Sequence, residues 1–599
     1  MITISAAEGH GRGVPWAATK LECMADPQEV LAGRVRMALA AAFGVEYADA
    51  DPVIRPSAFA DYQANVALSL AKRLGRPPRE VAAEIASHLD VTDVCDKAEV
   101  SGPGFINFTL RTDWIAGQAA GMLEDRRLGV PVADPVQKVV VDYSSPNVSK
   151  EMHVGHLRTT VVGDAIVRIL EYQGHDVIRA NHLGDWGTQF GLLIEHLMDV
   201  GEDTARRQLA AGDINTFYQA ARVKFDSDPA FADRSRHRVV LLQSGDKDTL
   251  RLWRVLVDQS KQYYNTIYGR LGITLTDDDL APESFYNAML ASVCDELQRD
   301  GIAVISNGAL CAFPPGFTGR DGEPLPMILR KSDGGYGYDT TDLAAIRYRI
   351  RDLKANRLIY VVGAEQSLHF RMLFAVARQA GWLTDDVRAE HAVIGLVSSP
   401  EGGRIRTRTG ESVKLITLID EAVERAGQVI ADRYDDPALR QQIAEAVGIG
   451  ALKYGDLSVA RDSGYVFDFD RMLALTGNTG PYLQYATARI RSIFRRAGLD
   501  PDGVTARMHL NEDAERALAL TALGFASAVS AAADRAEPHV VAAFLFDVAS
   551  AFTTFYELCP VLNAPSPELR DSRLALCALT LRILTTGLGL LGIPVPDRM

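Results

Sequence analysis

Lys138-Val-Val-Val-Asp-Tyr-Ser-Ser-Pro-Asn-Val-Ser-Lys-Glu-Met-His-Val-Gly-His156 is the stretch that decides the fold. Its first six residues form a short apolar run of the kind found in parallel strands covered on both faces. A Ser-Ser-Pro-Asn loop follows, then a helical pattern over about residues 156–174. A second strand is expected at Asp176-Val-Ile-Arg-Ala-Asn181. Strand, polar loop, helix and strand open a doubly wound, Rossmann-like α/β fold, whose ligands lie beyond the carboxyl ends of its strands. The same buried-strand pattern returns some 200 residues later at Leu358–Gly363 and Ala392–Gly395, so the sheet carries a mostly helical insertion at about residues 200–300.

The expected organisation grows outward from this sheet. Residues 24–127 read as a compact α+β module, with period-two alternation at Gly104–Leu110. A proline-bearing connector, LGVPVADPVQ, leads into a nucleotide-binding domain at residues 136–420. Residues 421–599 are helix-patterned throughout and read as a separate all-α domain. Residues 1–23 read as a loose leader, with Met24 a candidate start.

Length and charge bound the function. A chain of 599 residues asks for about three to five domains and is no small binding module. Its net charge of −14 excludes a molecule that attracts nucleic acid over its whole surface. Local basic patches would have to do that work, and Arg489, Arg491, Arg495 and Arg496 cluster on one expected helix; a solvated helix face is the plain alternative. The six cysteines are scattered without C-x-x-C or ligand-spaced histidines, so neither zinc nor a disulfide framework is indicated, and a reducing cytoplasm is expected. No stretch is expected to stay apolar for a membrane span; Val540–Tyr556 is interrupted by Asp547 and reads as a buried helix.

His153-Val-Gly-His156 stands where the first loop meets its helix. A helix N-terminus offers free N–H groups to phosphate, Gly155 lacks the Cβ that would hold a nucleotide away, and two imidazoles three residues apart can donate together. A lone H-x-G-H is a weak signal, and a structural role remains open for it. Lys150 stands three residues ahead of the first histidine, and Arg404-Ile-Arg-Thr-Arg-Thr-Gly-Glu-Ser-Val-Lys414 offers a cationic loop able to close over pyrophosphate or to be an exposed turn.

Ser144–Arg158 and Gly184-Asp-Trp-Gly-Thr-Gln-Phe-Gly191 together resemble the signature stretches of arginyl-tRNA synthetases, within class I aminoacyl-tRNA synthetases. Lys331–Asp342, Tyr482-Leu-Gln-Tyr-Ala-Thr-Ala-Arg489 and the terminal Leu-Gly-Ile-Pro-Val-Pro-Asp-Arg-Met599 extend the resemblance, as do Asp61–Asn65 and Ser101–Asn107. The chain departs from the class in one place: Arg406-Thr-Arg-Thr-Gly410 stands where a Lys-Met-Ser-Lys-Ser loop is usual, and Lys150 looks like the replacement cation.

The resemblance implies an N-terminal tRNA-contacting domain, a Rossmann-like catalytic domain and an anticodon-binding helical domain. It implies ATP-dependent activation of L-arginine and transfer to the terminal adenosine of tRNA(Arg), with Mg²⁺ arriving on ATP, no zinc and no membrane. A monomer is expected. Family members generally need tRNA before they activate arginine, and the same is expected here. Catalytic roles would fall to His153, His156, Lys150, Arg406 and Arg408, with Gly155, Gly395 and Thr407 also at ATP.

An arginine substrate is a planar cation that calls for carboxylates matched to its fork. Tyr338 and Asp342, four apart on a helix start, match the family's pair, and Asp142, Asn147 and Gln366 would complete the arginine site. A helix-capping Asp342 and a core Tyr338 are the structural alternatives. For tRNA the resemblance offers Phe59, Tyr62, Gln63 and Asn65 in the first module and Tyr482, Tyr485, Arg489 and Arg491 in the last, where packing roles for the tyrosines stay open. A synthetase for another amino acid, a small-molecule adenylyltransferase and a catalytically silent RNA-binding relative are the rival readings.

Overall fold

The computed structural model describes residues 26–599, apart from 188, 211–213, 320–321, 400–402, 404–412, 432 and 506. The leader, Met24, Arg406, Thr407 and Arg408 therefore lie outside the described residues. Two compact units are formed, each from several chain segments. One draws on residues up to Pro131 with Arg489–Ala528 and Phe546–Leu584, and the other on Val132–Ala488, Val529–Leu545 and Thr585–Met599.

The first unit holds an antiparallel sheet of β1 (Ile54–Pro56), β2 (Tyr62–Ala64), β3 (Cys95–Ser101) and β4 (Phe105–Leu110), in the order β1-β2-β4-β3. Arg516 forks onto both oxygens of Asp61, at 2.8 and 2.6 Å, and also donates to the Leu110 carbonyl. Asp61 in turn accepts from the Leu110 N–H. It is a structural pin of β2 and β4. Alternation along β2 turns Tyr62 inward to 6% exposure, so the ring of this candidate tRNA residue packs in the core. Phe59, at 90% exposure, presents its ring to solvent.

The second unit is built on a four-stranded parallel sheet. β5 (Lys138–Asp142) lies between β6 (Asp176–Ala180) and β10 (Arg357–Gly363), and β11 (Arg388–Ile394) flanks β10. Between β6 and β10 come the expected helices, the longest being Lys247–Leu271, and an antiparallel meander of β7 (Ala303–Ser306), β8 (Ala309–Ala312) and β9 (Met327–Arg330), which sequence reading missed. The strand order reverses direction between β5 and β10, and the carboxyl ends of these two strands therefore border the crevice where such sheets bind ligands. The helix Val154–Gln173 packs closely on the sheet: a Cβ on Gly163 would collide with the Tyr143 ring.

Arg158, on that helix, is wholly buried and ties distant segments together. Its guanidinium donates to the carbonyls of Gly395 (2.9 Å), Ser463 (2.6 Å) and Ala460 (3.1 Å), while Nε lies 2.9 Å from Asp456 on the helix Pro437–Leu457. Lysine has the charge without the planar fork and would leave buried carbonyls without donors. Arg158→Lys is expected to lower stability by about 2 kcal/mol, seen as a fall in the thermal midpoint; an unchanged midpoint would remove the clasp from the account.

Three helices among the described residues, Asp513–Arg535, His539–Leu558 and Pro567–Leu590, are long and apolar enough by length and composition to cross a membrane. That corrects the expectation that no such stretch exists. Protein covers 78% of the apolar window of Pro567–Leu590. His539–Leu558 is buried along one stripe, Val541, Leu545, Val548, Phe552 and Phe555, with Asp547 on the exposed side, so it is half-covered where a fully buried helix was expected.

Candidate active site

The loop after β5 holds serines in a conformation that serine rarely adopts. Ser144, Ser145 and Ser149 have φ of 70°, 47° and 62°. Each such residue costs about 1–3 kcal/mol and persists only where its surroundings fix it. One face of the helix Lys247–Leu271 does so: Ser260 accepts from the Ser149 N–H (3.0 Å), Tyr264 donates to the Asn147 carbonyl (2.6 Å) and Tyr268 bonds Ser144 (2.7 Å). These three hydroxyls recur every fourth residue, so the helical insertion shapes the loop in front of the candidate histidines.

His153 and His156 stack with ring centroids 4.1 Å apart. The His153 N–H donates to His156 Nδ1, and the Gly155 N–H donates to His153 Nδ1, both at 3.1 Å. Both Nδ1 atoms are therefore acceptors, and in each neutral ring the proton sits on Nε2. Burial, then the neighbouring charges of His153 and Lys150, pushes His156 down to about 3. His156 is a neutral donor at ordinary pH. A Cβ on Gly155 would lie 2.9 Å from His153 Cε1, so this glycine also keeps the His153 ring in place.

Lys150 reaches over the Tyr218 ring at 5.7 Å. Glu151 and Met152 hold the downstream end of the cationic loop: Lys414 donates to Glu151 Oε1 (2.8 Å), the Leu415 N–H to the Met152 carbonyl (2.8 Å), and the backbones of Lys414 and His153 pair in an isolated antiparallel β-bridge. The chain thus returns beside His153 immediately after residues 404–412. Sequence reading named Lys414 only as the end of that loop and missed its partner Glu151, 263 residues away.

The second half of the site lies at the end of β10. Tyr338 opens the helix Tyr338–Arg351 and is 66% exposed; Asp342 follows one turn on, and Gln366, also exposed, closes the short 3₁₀ turn after β10. Asp342 is paired: its Oδ2 lies 2.7 Å from His369 Nε2, and its Oδ1 3.8 Å from His182 Nε2. Burial, then the charges of Asp342 and Asp185, pushes Glu283 up to about 7, which marks this pocket as rich in carboxylates.

Asp142 is also engaged. Arg349, buried and raised despite burial by the Asp142 charge, donates to its Oδ2 at 2.6 Å, and Ser145 donates to Oδ1 at 2.9 Å. Both oxygens of Asp142 already accept a hydrogen bond within the protein, so this residue has only the remaining acceptor capacity of Oδ1, beside Ser145, to offer a ligand. Asn147, exposed, stands across from Gly184. Gly395 is held by Arg158 and donates to the Arg461 carbonyl at 2.7 Å.

Tyr482, Tyr485, Arg489 and Arg491 lie on the helix Gly480–Ala497, all half-buried, with Arg489 over the Tyr556 ring at 4.9 Å; Gln63 donates to Asn65 at 3.0 Å. Among the described residues no group of three or more His, Cys, Asp or Glu side chains is arranged to hold a metal ion. A cavity of about 1000 Å³, lined by Leu271, Ile443, Ile449 and the terminal Pro594-Val-Pro596, contains none of the candidate residues.

Family models described as "tRNA synthetases class I (R), catalytic domain", "DALR anticodon binding domain" and "Arginyl tRNA synthetase N terminal domain" match residues 119–469, 483–599 and 29–110. The chain is 63% identical over 578 residues to the arginine–tRNA ligase of Thermobifida fusca, covering 96% of this chain and 100% of that one. It is 50% identical to that of Frankia casuarinae over 584 residues, covering 95% and 99%. Among solved structures, the arginyl-tRNA synthetases of Plasmodium falciparum (TM-score 0.83, 30% identity, 96% and 99% coverage) and Thermus thermophilus (0.80, 26%, 96% and 100%) share its fold.

Proposed function

This chain belongs to the family of arginyl-tRNA synthetases, and from that premise we propose how its residues divide the work. It is a class I arginine–tRNA ligase: L-arginine is activated with ATP and joined to tRNA(Arg). An oxygen of the arginine carboxylate attacks the ATP α-phosphorus in line; the new P–O bond gives arginyl-adenylate and the broken one releases pyrophosphate. The ribose hydroxyl of the terminal adenosine then takes the arginyl group and AMP leaves. No protein nucleophile takes part, so catalysis is positioning and charge stabilisation.

In this reading His153 and His156 donate through Nε2 to the phosphates, Lys150 brings a compact positive charge near the α-phosphate, and Gly155 and Gly395 flank the nucleotide. Arg406, Thr407 and Arg408 close over pyrophosphate from the loop anchored at Lys414. Mg²⁺ enters on ATP, held by phosphate oxygens as is usual for this ion. Tyr338 and Asp342 take the guanidinium, and Gln366, Asn147 and Oδ1 of Asp142 take the α-amino and carboxylate groups. Phe59, Gln63 and Asn65 meet tRNA in the first module and Tyr482, Tyr485, Arg489 and Arg491 in the last. The enzyme works as a cytoplasmic monomer.

What supports this division is that the histidine pair follows the end of β5 and the Tyr338, Asp342 and Gln366 group borders the end of the adjacent strand β10. The test is ATP–pyrophosphate exchange with arginine, run with and without tRNA, against lysine and citrulline. Arginine alone is expected to drive exchange, and only with tRNA present. Citrulline keeps the shape and loses the charge, so exchange with citrulline would sink the carboxylate pocket.

A further inference from the structure

His369 lies between two carboxylates. Its Nε2 is 2.7 Å from Asp342 Oδ2 and its Nδ1 is 3.1 Å from Asp339 Oδ1. An ionised carboxylate only accepts hydrogen bonds, so both ring nitrogens must donate, and only the imidazolium can do so. The location gives no other reason for a positive charge. His369 is in the first turn of the helix Ser367–Gln379, where the dipole disfavours cations. The carboxylates are what keep it charged.

We propose that His369 is a positioning residue for the substrate: its ring clamps Asp339 and Asp342 together and leaves Asp342 Oδ1 turned toward the guanidinium of arginine. The proposal rests on the reading of Asp342 as the guanidinium ligand. Asp339 and Asp342 are three apart on one helix face and would repel each other without a cation between them. With the imidazolium in place the trio carries one net negative charge, which matches a guanidinium. The clamp also spans two elements: Tyr338 and Asp342 belong to the helix Tyr338–Arg351, whereas Gln366 caps the start of the helix that carries His369, three residues before it. One hydrogen-bonded ring therefore sets the spacing between the groups read as recognising the side chain.

The charged and titratable groups around the clamp are few. Tyr338 stacks on it with centroids 5.2 Å apart, and His182 stands 3.8 Å from the far oxygen of Asp342. Glu283 feels the Asp342 charge, and His391 on β11 feels both Glu365 and His369. Burial opposes protonation of His369, but its hydrogen bonds to Asp339 and Asp342 outweigh that and hold it up at about 9. The cation is thus present below about pH 9 and lost above it; the two carboxylates then gain net negative charge but are no longer held together, and because the proposal makes the fixed position of Asp342 Oδ1 decisive, affinity for a guanidinium ligand is expected to fall as pH rises through that value.

The probe is 5-guanidinopentanoate, which is arginine without its α-amino group and does not titrate in this range. In the wild type its inhibition constant is expected to climb above about pH 9, approaching tenfold per unit. In His369→Asn it is flat with pH, the arginine KM is raised about tenfold, and the ATP KM stays within about twofold. A flat wild-type profile, or coincident profiles for the two proteins, overturns the proposal; the wild-type profile decides even should the variant fold poorly. Asp342→Asn, run beside them, separates the two claims. An unchanged arginine KM in that variant means the pocket reading has failed, while a raised one together with a normal His369→Asn enzyme means that only the clamp has.

Discussion

Asp342→Asn raises the arginine KM or lowers kcat/KM for arginine by roughly 150-fold, about 3 kcal/mol, while the ATP KM stays within about twofold. The magnitude follows from what the exchange does to a charge pair. An arginine side chain brought out of water keeps its proton, so it needs a full negative charge within reach. Asparagine has the same shape but turns an amide NH₂ toward a ligand that is itself all donors. The substrate cation is then left partly unpaired beside an amide that donates toward it, and that penalty exceeds the value of the lost bond. The nucleotide end is insulated because its residues come from the loop after β5 and from the first turn of Val154–Gln173, whereas Asp342 stands on a different helix. Steady-state kinetics with each substrate varied in turn gives both constants. Equal losses for arginine and ATP would mean that the carboxylate supports the fold of the crevice and does not recognise the side chain.

The parts of this site that were legible in the sequence share one property: the chemistry is local. β5 reads as a strand because an apolar run of four to six residues is what a strand covered on both faces requires, and the loop and helix after it follow from Pro146, Gly155 and the helical spacing beyond. Tyr338 and Asp342 are legible as neighbours because a helix places residues four apart on one side. His369 had the same signal available. It follows Gln366 by three residues, in the first turn of the helix that Gln366 caps, which was enough to ask what it faces, but a single histidine gives no hint that its partners come from Asp339 and Asp342.

What was not legible depends on pairing across the chain. Arg349 is seven residues beyond Asp342, and nothing local tells that it bonds Asp142, 207 residues earlier. The Lys414–Glu151 pair and the Arg158 clasp are of the same kind. β3 escaped because it is an edge strand of Cys-Asp-Lys-Ala-Glu-Val-Ser, exposed over most of its length, so the alternation that marks a half-buried strand is absent. Tyr62 is the converse case. The alternation Tyr62 in, Gln63 out, Ala64 in was present, but the residue was read only as a tRNA candidate and its place in the core was not drawn from that period.

His156→Ala lowers the rate of adenylate formation by about 100- to 1000-fold, with the arginine KM nearly unchanged. The argument is again one of protonation, with the sign reversed from His369. Because His156 Nδ1 accepts from the His153 N–H, Nε2 is the one position that carries the proton, and burial with the nearby His153 and Lys150 charges keeps the ring from taking a second. A group held down at about 3 stays neutral from about pH 5 upward, so its donor is present at every pH at which the enzyme would be assayed. A neutral donor fixed in place before reaction stabilises the charge that builds on the α-phosphate without first having to reorient. Two results follow together in single-turnover measurements. The wild-type rate has no limb between about pH 5 and 8 that belongs to His156, and the alanine variant is slowed by the same factor across that range. A slowing that shrinks at one end of the range would show that His156 takes a proton during the reaction, and the assignment of a fixed neutral donor would be lost. Rescue by His156→Gln, whose amide N–H can reach toward the Nε2 position, would support hydrogen-bond donation over general-acid chemistry, since an amide donates without giving up its proton.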